Sequence, residues 1–191
     1  PGGYQNVSEQ IYLLMKDKGF QTLLMTSSRT GEGVTTVTRG IGKYIAANLG
    51  HKVLIIDANP RHLSGKKKDK TRAGPGLFEV LEGKAEFSRT VKDEGDRLFL
   101  LPAGNTGLNP GILLVTHKMA EVLKSARAKY EMVLIDADSI AASKDALELA
   151  GAAEATALII SEGRARRQAA KTAVDTLKER KANILGGILN N

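Results

Sequence analysis

Short apolar runs recur along the chain at regular intervals. Each run is rich in Val, Ile or Leu. The runs cover residues 22–28, 52–58, 97–103, 132–138, 155–161 and 184–190. Near-continuous apolar runs of this length are typical of strands buried on both faces, so they predict the strands of a parallel sheet.

The segments between these runs have the periodicity of helices. Residues 35–50 end in Gly50, a residue type favoured at helix C-caps. Residues 117–130 carry apolar side chains at the spacing of one helix face. These side chains are Met119, Val122, Leu123 and Ala126. Further helical segments are predicted at 1–20, 74–83, 143–153 and 166–181.

The alternation of strands and helices predicts the fold class. It favours an α/β domain, a doubly wound and mostly parallel sheet flanked by helices. The length of 191 residues suits one ordinary core, and no linker divides the chain. We therefore expect a single domain over 1–191, with a flexible basic loop at 61–76.

Charge and composition narrow the choice of partners. The net charge is +7, so nucleotides, phospholipid headgroups and nucleic acid are candidate partners. Basic residues concentrate at 61–72 and 163–167, which could equally be a solvated loop and a solvated helix face. Aromatic residues make up only 4%, so stacking on nucleic-acid bases is not expected. The chain has no cysteine, which excludes disulfides and thiolate chemistry. Its three histidines are scattered, so no histidine-based metal site is expected.

A glycine-containing loop, SSRTGEGVTT at 27–36, joins the first predicted strand to the first helix after it. Its glycines would let the backbone approach phosphate groups, which the loop N–H groups and the helix N-terminus would then bind. A phosphate-binding loop needs a lysine after its last glycine, and Val34 stands there.

Two further motifs accompany this loop, VLIIDANPR at 53–61 and YEMVLIDAD at 130–138. Together the three resemble the bacterial tyrosine kinase (BY-kinase) family, P-loop proteins related to the MinD/ParA group that usually serve capsule and exopolysaccharide production. The resemblance extends over nearly the whole chain. It continues through residues 76–91, 101–136, 145–170 and 184–191.

The resemblance implies a site for ATP or ADP with Mg²⁺. Asp57, Arg61 and Asp136 are the candidate catalytic residues, and Mg²⁺ would lie among Thr35, Asp57 and Asp136. Asn190 would meet the adenine edge, although it and Thr36 could equally be polar residues of a strand end and a helix start. The implied nucleotide-binding residues are Thr30, Gly31, Glu32, Gly33, Val34, Thr35, Thr36 and Asn190.

Two residues in these motifs depart from the family pattern. Val34 replaces the lysine that reaches the β- and γ-phosphates, and loss of one charge-assisted contact costs roughly 1.5–3 kcal/mol, about ten- to hundredfold in affinity. Asn59 replaces the second carboxylate of the Walker A′ motif, and an amide cannot serve as a general base. Asp138, just after the Walker B motif, is a candidate to replace it in part.

Two regulatory features of the family are also incomplete in this sequence. In the E-x-x-R-x-x-R pattern of the N-terminal helix, Tyr12 and Met15 follow Glu9 in place of the two arginines. The tyrosine-rich tail that becomes phosphorylated in these kinases is not present in this sequence.

These departures predict a degenerate BY-kinase-like domain, a pseudokinase with weak or absent ATP binding and phosphotransfer. It would act in regulation or assembly of exopolysaccharide or capsule biosynthesis and export. One alternative is an active ATP-dependent tyrosine autokinase in which Arg29 replaces the missing cation. Another is a ParA/MinD-type positioning ATPase.

The resemblance also implies partners and a location. The partners would be a membrane polysaccharide co-polymerase or export machinery, fused or separate, a homo-oligomer, and an anionic membrane surface near the basic loop. Nucleic acid is not expected. The domain would be cytoplasmic, at the inner face of the cell membrane.

Overall fold

The computed structural model describes residues 3–63 and 74–190, apart from the side chains of 164–166. Most of the basic loop predicted at 61–76 therefore lies outside the described residues, as does Asn191.

Within the described residues, seven strands form one sheet. They are β1 (Thr22–Ser27), β2 (Val53–Asp57), β3 (Lys92–Gly95), β4 (Leu98–Leu101), β5 (Met132–Asp136), β6 (Ala155–Ser161) and β7 (Ile184–Asn190). Their order across the sheet is β3-β4-β2-β5-β1-β6-β7, and every neighbouring pair is parallel except β3 with β4.

Eight α-helices precede or connect these strands in the described part of the chain. They are α1 (Gln5–Asp17), α2 (Val34–Leu49), α3 (Leu77–Leu81), α4 (Phe87–Thr90), α5 (Pro110–Leu114), α6 (His117–Lys129), α7 (Lys144–Ala152) and α8 (Arg164–Glu179). None of the helices in the described ranges has both the length and the apolar character to cross a membrane.

The sheet separates two apolar clusters. Alternate residues of each central strand enter opposite clusters, as Leu54 and Ile55 of β2 do. One cluster contains α1 and α2, and the other contains buried residues of α3 and of α5 to α8. This arrangement confirms the predicted doubly wound α/β fold.

Most element boundaries follow the sequence pattern closely. Helix α2 is capped by Gly33 at its start and by Gly50 at its end. Both have the positive φ that glycine adopts without strain, 85° and 73°. Helix α6 buries the four apolar residues expected on its inner face. Strand β3 was not predicted, because its sequence KDEG is polar and mostly exposed at the antiparallel edge of the sheet.

Candidate nucleotide and metal site

Three loops converge at the carboxyl ends of adjacent strands. Because β2, β5 and β1 are neighbours in the sheet, the segments 58–62, 137–139 and 28–36 that follow them lie side by side. They line a cavity of about 210 Å³. Crevices at this edge of a parallel sheet are where ligands bind in doubly wound folds.

The glycine loop has the backbone that a phosphate cradle requires. Gly31 and Gly33 adopt φ values of 89° and 85°, and both line the cavity. A Cβ added to Gly33 would meet the side-chain nitrogen of Asn190, and the positive φ of Gly33 would strain any other residue there.

Glu32 holds this loop through its buried side chain. One carboxylate oxygen, Oε2, accepts hydrogen bonds from the Ser28 hydroxyl at 2.8 Å and from the Arg29 backbone N–H at 3.0 Å. The other, Oε1, accepts from the backbone N–H of Ser161 on β6 at 3.3 Å. The sequence analysis expected only the backbone of Glu32 to act, and it missed this side-chain role.

Val34 provides no charge to the cavity. It is the first residue of α2, and its side chain is buried in the apolar cluster that contains α1 and α2. Arg29, the candidate substitute cation, is exposed and lines a different cavity of about 470 Å³, beside Gln168 and Thr172 of α8.

Two buried carboxylates end the strands beside the loop. Asp57 of β2 and Asp136 of β5 are register partners. Burial raises the pKa of Asp136 to about 7, and the Asp57 carboxylate acts in the same direction, while a hydrogen bond with the Thr35 side chain opposes both. Thr35, Asp57 and Asp136 thus lie together, as the predicted Mg²⁺ ligands require, and their hydroxyl and carboxylate oxygens suit a hard cation.

A histidine joins these carboxylates. His62 Nδ1 lies 2.8 Å and 3.0 Å from the two carboxylate oxygens of Asp57. One potential ligand atom from each of Asp57, His62 and Asp136 lies within 4.8 Å of the other two. The sequence analysis missed His62 because it follows Arg61 in a basic segment, and no spacing rule connects it with Asp57.

Asn59 and Arg61 take structural positions around the cavity. The Asn59 side-chain oxygen accepts from the Arg61 backbone N–H at 3.0 Å, which caps the 3₁₀ helix Pro60–His62. Arg61 Nε donates to Asp138 Oδ2 at 2.8 Å, so an ion pair joins the segments after β2 and β5. Asp138 therefore pairs with Arg61, although it also lines the cavity.

The remaining predicted residues lie on the same loop or contact it. The Thr30 and Ser139 hydroxyls are 3.3 Å apart, across the cavity-lining segments, and Thr36 lines the cavity at the start of α2. The Asn190 side-chain N–H donates to the Glu32 carbonyl at 2.9 Å. Asn190 thus reaches the glycine loop from β7.

Comparisons with known proteins find bacterial tyrosine kinases over most of the chain. The chain is 30% identical over 188 residues to the tyrosine-protein kinase YwqD of Bacillus subtilis strain 168, covering 98% of this chain and 79% of that protein. It is 28% identical over 173 residues to the tyrosine-protein kinase CpsD of Streptococcus pneumoniae serotype 4, covering 89% and 75%. No protein-family model matches the chain.

Similar solved structures include kinase domains and a nucleotide-bound relative. The kinase domain of VpsO has a TM-score of 0.85 at 26% identity, covering 97% of this chain and 91% of that one. The kinase domain of the Escherichia coli tyrosine kinase ETK has a TM-score of 0.85 at 25% identity, covering 95% and 71%. The septum site-determining protein MinD of Pyrococcus horikoshii, solved with Mg-ADP, has a TM-score of 0.69 at 25% identity, covering 89% and 70%.

Proposed function

This chain belongs to the bacterial tyrosine kinase (BY-kinase) family, and within that family we propose that it is a degenerate kinase domain. It would bind nucleotide and Mg²⁺ weakly and transfer phosphate slowly or not at all. The observation that carries this proposal is the side chain of Val34, which lies in the apolar core where the phosphate loop would need a cation.

The proposal follows from how phosphoryl transfer is catalysed. Catalysis depends almost entirely on positioning the phosphates and stabilising their charge. The backbone N–H groups of the loop can still meet the phosphates, and a bound Mg²⁺ would neutralise part of their charge among Thr35, Asp57 and Asp136. Without a lysine at position 34, the charge on the transferred group would remain less well compensated.

At position 59, an amide stands where the family pattern has a second carboxylate. The Asn59 amide cannot accept a proton from a tyrosine hydroxyl, and its oxygen already caps the 3₁₀ helix. The exposed side chain of Arg29 contacts a separate cavity beside α8, which disfavours the reading of this chain as an efficient autokinase that uses Arg29.

The biological role we propose is regulatory or structural. The domain would act in assembly of an exopolysaccharide or capsule, with a membrane polysaccharide co-polymerase or export protein as its partner, at the cytoplasmic face of the membrane. Two observations support this role. They are membership of the kinase family and the net charge of +7, which suits a site close to anionic lipid.

Calorimetric titration with ATP and ADP in the presence of Mg²⁺ tests the biochemical part of the proposal. We expect Val34→Lys to bind ATP about ten- to hundredfold more tightly than the native chain, because it restores one charge-assisted contact. Val34→Met is the matched control, since it adds a chain of similar length without charge.

Phosphate incorporation into tyrosine, measured on the same three proteins, completes the test. We expect none above background from the native chain. Micromolar binding by the native chain together with steady tyrosine phosphorylation would overturn the proposal, and loss of that activity in Arg29→Ala would assign the replacement cation.

A further inference from the structure

A second cavity, of about 470 Å³, lies between the start of the glycine loop and helix α8. It is lined by residues 28–29 and 140–141 and by residues of α8 between 168 and 176. Its volume is in the range of pockets that hold small organic ligands, about 300–1,000 Å³. Segments that follow β1 and β5 line both this cavity and the nucleotide cavity, but no lining residue is common to the two. The chemistry of the second cavity therefore has to be read from its own side chains.

The inner part of this cavity is apolar. Ile140 and Ala173 line it, and both are buried in the apolar cluster that contains α5 to α8. Ala169 also lines it, four residues before Ala173 and therefore on the same face of α8. Alanine at both positions leaves space that larger side chains would fill. The apolar body of a ligand would be removed from water here.

Most hydroxyl groups around the cavity already donate hydrogen bonds within the protein. The Ser28 hydroxyl donates to a carboxylate of the glycine loop at 2.8 Å. The Thr172 and Thr176 hydroxyls donate to backbone carbonyls one helical turn earlier, at 3.1 Å and 2.9 Å. Among the described lining residues, Arg29 and Gln168 have side-chain N–H groups without a partner. A polar group of a ligand would therefore meet these two side chains.

The charge at this cavity is positive. Arg29 is exposed, and its guanidinium forms no ion pair among the described residues, whereas Arg61 and Arg180 each pair with a carboxylate. In the part of the chain that the structure describes, no acidic side chain lines the cavity. A guanidinium presents parallel N–H donors that match the two oxygens of a carboxylate. A single cation beside an apolar interior thus suits a monoanion better than a doubly charged phosphate group.

We propose that this cavity binds a small organic monocarboxylate with an aliphatic or aromatic body. The carboxylate pairs with Arg29 and accepts from the Gln168 amide, and the body packs against Ile140, Ala169 and Ala173. The ligand contacts the first residues of the glycine loop, so it occupies a second site beside the nucleotide cavity. This inference goes beyond the proposed function and does not depend on whether the chain binds nucleotide.

Titration of the isotope-labelled chain with naphthoate, followed by amide chemical shifts without nucleotide, tests the site. Naphthalenemethanol has the same two rings without the charge and is the matched probe. We expect saturable shifts at Arg29, Ile140, Ala169 and Thr172. Naphthoate should bind about ten- to hundredfold more tightly than the alcohol, because it adds one charge-assisted contact.

Two variants with matched controls assign the contacts. Arg29→Gln should lower the affinity for naphthoate to that for the alcohol, whereas Arg89→Gln, which replaces an exposed arginine on α4, should leave it unchanged. Ala169→Leu places additional atoms in the cavity and should weaken the binding of both probes by about tenfold or more. Ala152→Leu, at an exposed position of α7, should weaken neither.

Equal affinity of the two probes for the native chain overturns the inference, and so does an unchanged affinity for naphthoate in Arg29→Gln. The absence of saturable shifts at the lining residues at millimolar naphthoate also overturns it. Thr172→Leu, at an exposed position of α8, replaces Ala169→Leu if circular dichroism shows that the latter is unfolded. Because no nucleotide is present, this result is separate from that of the Val34 titration, and either proposal can fail alone.

Discussion

Asn59 has a structural task at the position where the family pattern has a second carboxylate. Its side-chain oxygen caps the 3₁₀ helix, and its backbone N–H donates to Asp57 Oδ1 at 3.2 Å. Both bonds stabilise the turn that carries Arg61 and His62 to the cavity. Asn59 thus holds this turn with a neutral side chain beside the Asp57 carboxylate.

Substitutions at Asn59 distinguish the effect of the helix cap from the effect of charge at this position. Asn59→Ala should lower the free energy of unfolding by about 1 kcal/mol, because the cap is lost. Asn59→Asp keeps an acceptor for the cap but adds a negative charge close to Asp57. Urea denaturation should therefore show that Mg²⁺ stabilises Asn59→Asp more than it stabilises the native chain.

The same response to Mg²⁺ from both proteins would show that residue 59 does not reach the cation. Asn59→Ala serves as the control, because it removes the cap without adding charge.

Local motifs made much of the site predictable at the scale of single residues. The glycine loop, Asp57 and Asp136 each follow or end an apolar strand, so their placement at one edge of the sheet follows from the fold class. His62 was not predictable in this way, because its approach to Asp57 depends on the path of one 3₁₀ turn. The bond from Asn190 to Glu32 depends on the register of the last strand, which no local pattern encodes.

At the scale of elements, one side chain joins the starts of two neighbouring strands. Glu154, just before β6, accepts hydrogen bonds from the backbone N–H groups of Gln21 and Thr22 at 2.8 Å each and from the Thr22 hydroxyl at 3.0 Å. Burial alone would raise the pKa of Glu154, but these bonds outweigh it and hold the pKa below its usual value of 4.5.

The pH dependence of stability should report this contact. Because the folded pKa of Glu154 is lowered, its contribution is fully present above pH 4.5 and is lost as the pH falls through the folded value. We expect Glu154→Gln to lose about 1–3 kcal/mol at pH 7 and less below pH 4. Urea denaturation at several pH values measures the difference.

Glu121→Gln, an exposed substitution on α6, is the control for this series. A deficit in Glu154→Gln that is the same at every pH would show that the neutral carboxyl stabilises the strands as well as the carboxylate does.

The predictability of elements depended on how much apolar surface they bury. The six apolar runs and the longer helices were predicted because burial on one or both faces imposes a periodic sequence. Strand β3 and helix α4 were not, since they bury few side chains. Helix α5 was not predicted because it has only five residues and begins with turn chemistry, the Asn109 cap before Pro110. Strand β4 is shorter than the predicted run at 97–103, which contains Pro102.

At the scale of the whole molecule, the site lies where the two apolar clusters end. The clusters cover the two faces of the sheet, whereas the loops after β1, β2 and β5 meet at the carboxyl ends of these strands. A ligand there contacts loops from three separate parts of the chain. Binding should therefore stabilise the entire fold, because the unfolded chain cannot bring these loops together.

Thermal unfolding with Mg²⁺ and ATP can measure this linkage. At a ligand concentration about 100 times its Kd, Val34→Lys should gain about 2.7 kcal/mol. At the same concentration the native chain, with affinity ten- to hundredfold lower, should gain roughly 0.4–1.4 kcal/mol. Val34→Met should follow the native chain, and equal shifts in all three proteins would show that residue 34 does not determine affinity.

The hydrogen bond from Asn190 to the Glu32 carbonyl also has a consequence for folding during synthesis. The two residues are 158 positions apart, and chains are synthesised at about 5–20 residues per second, so roughly 8 to 30 seconds separate their appearance. During that interval the glycine loop exists without its last contact. A nascent chain would therefore complete the support of its glycine loop only when β7 docks beside β6, so the loop should become protected from proteolysis late in synthesis.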